Sequence, residues 1–187
     1  INVCTYQAVS GSGKDGVEEL LQQSSAYIDQ RSIDKKVYPK QIAFNSIPFV
    51  DCFLENNYTR EEMKMVWETH KILDENISVN PTAVRVPVLV GHAESIYIET
   101  EKEIDIELAK NCLNEFTGIS VVDDVQEVDF PTSFEHGHGT DDVYVGRIRK
   151  GLSKNNSLNL WVVADNVRKG AALNSIQIAE NLVGSEM

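Results

Sequence analysis

Three strand-like runs, residues 125–130, 143–149 and 158–164, follow one another in this sequence with no regular helix pattern between them. Parallel neighbours in a sheet need a crossover of a dozen or more residues, usually a helix, so this order disfavours a doubly wound parallel sheet. It predicts an α+β domain: a mixed, largely antiparallel sheet with helices on one face. Such a sheet leaves its other face to be covered by something else, and a partner subunit is one candidate.

The remaining elements fit that frame. Ile1-Asn2-Val3-Cys4-Thr5-Tyr6-Gln7-Ala8-Val9 is rich in β-branched and aromatic residues and stops at Ser10-Gly11-Ser12-Gly13, which reads as strand and then tight loop. Val17, Leu20, Leu21 and Ser24 then recur at helical spacing over residues 14–27, and a loop runs on to Pro39. Thr59-Arg60-Glu61-Glu62 has the form of a capping box and opens a helix to about Leu73, with Met63, Val66, Trp67 and His70 on one side. Residues 84–90 and 95–99 read as strands around Gly91-His92, and residues 105–116 as a helix. A last helix is expected from Asn166 to Val183, with Ala172, Leu173, Ile176, Ala179 and Val183 apolar. Neither a repeat nor a linker divides the chain, so residues 1–187 are taken as one domain.

Composition narrows the function classes. A net charge of −12 opposes binding to phosphate backbones, and no basic stripe with interleaved aromatics is present, so nucleic acid is not expected as a partner. The longest mostly apolar stretch, residues 83–90, carries Arg85 and is far short of the ~20 residues that span a bilayer. Cys4, Cys52 and Cys112 form no Cys-x-x-Cys pair and are odd in number, which points to a reducing, cytoplasmic setting. Ile1 stands where an initiator methionine would, without a signal-peptide pattern, and the start is read as a cut.

Few residues suggest chemistry by themselves. Gly11-Ser12-Gly13-Lys14 lacks both the Walker spacing and Gly-x-Gly-x-x-Gly, so it is read as a strand-to-helix turn. Cys4, among apolar strand neighbours, is read as an inert core thiol, and His136-Gly137-His138 as a surface loop, so no metal site is expected. Glu61 and Lys64, three apart on a helix, would form a surface ion pair. Arg85 interrupts an apolar strand and should meet a carboxylate, structural or on a ligand. His92, after Gly91, is either a satisfied loop histidine or a proton-transfer group.

Four segments together resemble aspartate-semialdehyde dehydrogenase. They are Thr5-Tyr6-Gln7-Ala8-Val9-Ser10-Gly11; Glu61-Glu62-Met63-Lys64 with Glu68-Thr69-His70-Lys71-Ile72-Leu73; Arg85-Val86-Pro87-Val88 through His92; and Trp161-Val162-Val163-Ala164-Asp165-Asn166-Val167-Arg168-Lys169-Gly170-Ala171-Ala172. The resemblance implies the C-terminal catalytic and dimerisation domain, glyceraldehyde-3-phosphate dehydrogenase-like in fold, with the sheet's other face at a homodimer interface. The NADP-binding domain and the catalytic cysteine would precede Ile1, and residues 165–187 would pack on that domain. The implied reaction is reductive dephosphorylation of L-aspartyl 4-phosphate to L-aspartate 4-semialdehyde with NADPH, towards lysine, threonine and methionine, and the chain alone would be inactive.

By the same resemblance His92 would be the acid/base and Gln7 would orient the cysteine-bound intermediate. Arg85 would grip the substrate α-carboxylate, Glu61 the α-ammonium, and Lys64 would help hold phosphate. Ser10, Gly11 and Asn166 would lie near the nicotinamide. Two other readings stand beside this one: a non-enzymatic homodimerisation or amino-acid-binding module, and a related acyl-phosphate reductase. One geometric condition attaches to the shared site. In a straight strand Arg85 and His92 would be roughly 23 Å apart, so Pro87 or Gly91 is expected to bend the run.

Overall fold

The computed structural model describes residues 1–184. Its strands are β1 (Asn2–Gln7), β2 (Asn80–Arg85), β3 (His92–Glu99), β4 (Ile119–Val121), β5 (Val143–Lys150) and β6 (Ser157–Ala164), joined in one sheet in the order β2-β1-β3-β6-β5-β4. The three inner pairings are antiparallel, and only the edge pairs β1–β2 and β4–β5 are parallel. The mixed, largely antiparallel sheet expected from the strand order is what forms.

Register sorts the side chains into two faces. Gln7 lies opposite Arg85, Thr5 opposite Glu94, and Glu94 and Val145 both opposite Val162, which puts these residues on one face. The helices α2 (Arg60–Ile72) and α3 (Ile106–Glu115) lie on that side: Glu61 of α2 reaches Gln7, and Ile106, Ala109 and Leu113 of α3 pack on Val145, Ile148 and Leu158. Cys4, Tyr6, Ser95, Tyr97 and Trp161 face the other way and are half-buried, with the Tyr6 and Trp161 rings 5.5 Å apart.

The capping box at Thr59 forms as expected: the Thr59 side chain accepts from the Glu62 amide, and Glu62 accepts from the Thr59 amide at 2.7 Å. Helix α1 (Gly13–Ile28) anchors the long irregular stretch that follows it. Its buried Glu19 accepts from the Lys36 amide, and its buried Gln23 accepts from the Ile42 amide and donates to the Asp34 carbonyl. Around these bonds Val9, Leu20, Tyr38, Ile42, Ala43 and Ile47 form an apolar cluster. The loop is thereby ordered with its buried backbone amides paired.

Three expected elements come out differently. The run 84–90 is not one strand: β2 ends at Arg85, the next amide bonds curl back from Val88 to Val86, and the Val88 and Leu89 carbonyls accept from the Val9 and Ser10 amides. Those β-branched residues look like a strand but serve as a corner around the 3-10 turn Val9–Ser12. Residues 125–130 form a turn, in which the Asp124 carboxylate takes the Gln126 and Glu127 amides, and the short β4 fills the sheet edge instead. The last helix begins later than Asn166, with a π turn at Arg168–Ala172 leading into α4 (Leu173–Gly184). Of the segment 165–187, expected to pack on a further domain, residues 185–187 lie outside the described residues.

One contact fixes the entry to β3. Segment 131–142 crosses the sheet there, and Gly91, at φ +91°, meets it so closely that a Cβ would stand 2.6 Å from the Gly137 carbonyl oxygen and 2.7 Å from that of Ser133. Gly137 itself abuts Val163, where a Cβ would stand 2.8 Å from Cγ1.

Candidate active site

The corner at residues 86–91 removes the expected separation of Arg85 and His92. Both arrive at Gly11: from the position where a Cβ of that glycine would be, the Arg85 Nη1 is 3.0 Å away and the His92 Nε2 is 3.5 Å away. Gly11 is exposed and brings no side chain over the two groups, of which Arg85 is buried and His92 half-buried.

A chain of polar contacts lies beside this point, starting at Gln7, the β1 residue opposite Arg85. The Gln7 Nε2 donates to Glu61 at 3.1 Å and to the Thr5 hydroxyl at 3.3 Å, and the Lys64 ammonium pairs with the other Glu61 oxygen at 3.0 Å. Gln7 comes from the end of β1, Arg85 from the end of β2, His92 from the start of β3, and Glu61 and Lys64 from the first turns of α2. The Ser10 hydroxyl and the Gly91 amide both donate to the Asn166 side-chain oxygen, at 3.1 and 2.9 Å. Asn166 therefore ties the turn bearing Gly11 to the residue preceding His92. All eight residues singled out in the sequence fall in this one connected region.

Of the two carboxylate partners expected for Arg85, structural or on a ligand, the structural one is not found among the described residues: its Nη1 donates to the Ala8 carbonyl at 2.7 Å, and no protein carboxylate stands within ion-pair distance. Burial pulls its pKa down, with the Tyr38 and Glu61 charges opposing that pull. A buried guanidinium without a carboxylate retains donors for an anionic ligand. Burial also opposes charge on Glu61, yet the hydrogen bonds from Lys64 and Gln7 and the charges of Lys64 and Arg85 hold its carboxyl below the usual range. Its partner Lys64 is raised by the Glu61 contact. His92 is pushed down to about 4, mainly by burial and then by the Arg85 charge, against weaker pulls from Glu61 and Asp165.

Two contributors went unnoticed in the sequence. Ala8 works only through its peptide group, which no side-chain pattern signals. Asp165 is buried, and its carboxylate accepts from the amides of Val167, Arg168 and Gly139, setting the turn on which Asn166 sits. An acidic residue closing a strand ahead of a helix was the available signal for it. Elsewhere, His136 accepts from the Thr132 amide and packs at a tilt against Tyr144, and Cys4 points to the sheet face away from Gln7 and His92.

Comparison with known proteins matches this architecture. A family model described as semialdehyde dehydrogenase, dimerisation domain, matches residues 1–169. Aspartate-semialdehyde dehydrogenase of Shewanella violacea is 56% identical over 98% of this chain and 54% of its own length, and that of Aquifex aeolicus is 50% identical over 97% and 54%. The chain thus spans about half the length of the curated relatives it matches. A crystal structure of aspartate semialdehyde dehydrogenase II from Vibrio cholerae, complexed with ASA, superposes with a TM-score of 0.95 at 50% identity, covering 100% of this chain and 55% of that one. With the family model spanning nearly the whole chain and relatives at half identity or more, this protein belongs to the semialdehyde dehydrogenase family, in the part that forms its dimerisation domain.

Proposed function

We propose that this domain is the substrate-gripping half of an NADP-dependent enzyme that interconverts L-aspartyl 4-phosphate and L-aspartate 4-semialdehyde. The observation that carries the reading is the meeting of Arg85 and His92 at Gly11, with Glu61 joined to the same corner through Gln7. A guanidinium fork suits an α-carboxylate, a carboxylate kept ionised suits an α-ammonium, and the two together define an amino-acid head group. Lys64 helps hold phosphate, Gln7 orients the reacting carbonyl through its amide, and His92 is the acid/base group beside it.

Ser10, Gly11 and Asn166 line the approach for the nicotinamide end of NADP, and the bare, exposed Gly11 backbone fits a flat ring laid against it. When bound, NADPH would supply the hydride. The nucleophilic thiol comes from outside this chain: Cys4 faces away from the corner, and neither Cys52 nor Cys112 is among the residues that meet there. The chain by itself is accordingly expected not to turn over. Its half-buried sheet face, with Tyr6, Tyr97 and Trp161, is the surface through which two copies pair.

The test is to join this chain to the part of the Shewanella violacea relative that it does not cover and follow phosphate-dependent NADP reduction by L-aspartate 4-semialdehyde. Activity that falls steeply in Arg85→Lys, with the loss concentrated in KM, is expected. A folded, dimeric fusion that turns over a different acyl phosphate but not this aldehyde would overturn the substrate assignment.

A further inference from the structure

A buried side chain outside the proposed grip ties helix α2 to strand β2. Glu62 completes the capping box with one carboxylate oxygen and spends the other on the sheet: Oε2 accepts from the Thr59 amide at 2.7 Å, and Oε1 from the Ala83 amide at 3.0 Å. Strand β2 lies at the sheet edge, paired with β1 alone. Its Asn80 amide and that of the following Val86 turn inwards to the Ile1 and Gln7 carbonyls, so the amides of Ala83 and Arg85 turn outwards, where the sheet offers no acceptor. The Ile47 carbonyl meets the Arg85 amide at 2.8 Å, and Glu62 meets that of Ala83. Ala83 is fully buried, so its amide depends on this carboxylate.

The tie runs between the two parts of the head-group grip. Ala83 stands two residues before Arg85 on the strand whose end presents the guanidinium, and Glu62 directly follows Glu61 on the helix. Glu61 reaches over the sheet face to Gln7, the β1 residue opposite Arg85. Consecutive glutamates thus fasten the first turn of α2 over the face and at the edge.

We propose, resting on the reading of Arg85 and Glu61 as an amino-acid grip, that Glu62 is a positioning residue: by pinning α2 to β2 it sets where Glu61 stands relative to Arg85, and so selects aldehydes that carry an α-ammonium beside the α-carboxylate. The guanidinium fork holds a carboxylate whether or not an ammonium is present, whereas the ammonium gains from Glu61 only when that carboxyl is held at the reach of a substituent on the same carbon. Glu62 does not touch the ligand, and its effect passes through Glu61.

Glu62→Gln isolates the tie. Glutamine has one acceptor oxygen for two N–H donors, so one of them meets an NH2 instead. Capping boxes form with glutamine as with glutamate, so the anchor given up is the one on Ala83.

The test uses the joined enzyme and two aldehydes, L-aspartate 4-semialdehyde and succinate semialdehyde, its analogue without the ammonium. The readout is the ratio of their kcat/KM values in phosphate-dependent NADP reduction. Glu62→Gln should lower that ratio by roughly 10–100-fold, the range for a hydrogen bond to a charged group, through a raised KM for the amino aldehyde alone. Added to Glu61→Gln, it should change the ratio no further. Leu158→Ala, which destabilises the far end of the sheet beneath α3, should leave the ratio unchanged and so separates positioning from lost stability. Glu62→Asp, one carbon too short to span both amides, should lower the ratio as well and serves if the glutamine variant does not fold. An equal fall with both aldehydes, or an unchanged ratio in the Glu62 variants, would overturn the positioning role. A ratio near one in the unsubstituted enzyme would overturn the amino-acid grip itself, and the positioning role with it.

Discussion

The two ends of the sheet are built on opposite principles. At the β2-β1-β3 end the helix-bearing face buries Thr5, Gln7 and Arg85, each held by a hydrogen bond to a named partner. At the β6-β5-β4 end the same face buries Val145, Ile148 and Leu158 beneath α3. Burying polar groups costs free energy unless each is paired, so the first end is defined by direction and distance. The second end is defined by volume. One sheet thus carries a directional, hydrogen-bonded half and a space-filling half, and substitutions in the two should fail in different ways.

The largest expected contrast is in catalysis. In the joined enzyme Arg85→Lys keeps the charge but loses the fork, and kcat/KM for L-aspartate 4-semialdehyde should fall about 10³-fold, roughly 4 kcal/mol of transition-state binding. Steady-state kinetics beside a thermal melt would show whether stability falls by less. At the other end, Leu158→Ala should cost about 2–5 kcal/mol in a urea titration by leaving a cavity under α3, while kcat is unchanged. A matched fall in kcat would mean that the two halves are mechanically joined.

A pH effect should belong to the directional end alone. The folded pKa of His92, about 4, lies below the ordinary 6.5, so the unfolded chain binds more protons between these values. Stability that is fully present above about 6.5 should be lost as pH falls towards 4, by up to roughly 3 kcal/mol. His92→Gln should flatten that slope, and a slope unchanged in this variant would place its origin elsewhere. The smallest effect concerns the support beneath Glu61. Thr59→Ala removes the cap of α2 and should cost about 1 kcal/mol of stability, with a modest rise in KM because Glu61 and Lys64 sit in the first turns.

The sequence exposed whatever depends on side-chain pattern. The capping box at Thr59, the helical periodicity around Leu20 and the strand-like runs 143–149 and 158–164 each led to the right element. It misled where tertiary contacts outweighed composition. Val86, Val88 and Val90 have strand chemistry, yet this corner lends its carbonyls to the Val9–Ser12 turn, a pairing across the whole site that local pattern does not encode. Asp124 turned residues 125–130 through two side-chain bonds to backbone amides, which apolar spacing conceals. The site residues themselves were legible only as a set, through resemblance. Neither the convergence of Arg85 and His92, which depends on the corner that was taken for a strand, nor the bonds of the Ala8 peptide to both, amide to His92 Nδ1 and carbonyl from Arg85, could be read, because each is a backbone event.

The crossing of Gly91 and Gly137 gives the polar 131–142 segment a meaning that its composition hides. Two stretches of backbone there share a clearance narrower than a methyl group, one of them immediately ahead of His92. Inheritance should feel this as a single locus with two addresses. An added carbon at either glycine would be transmitted as a displacement of the imidazole, so a segment remote from His92 in sequence stands guard over its alignment.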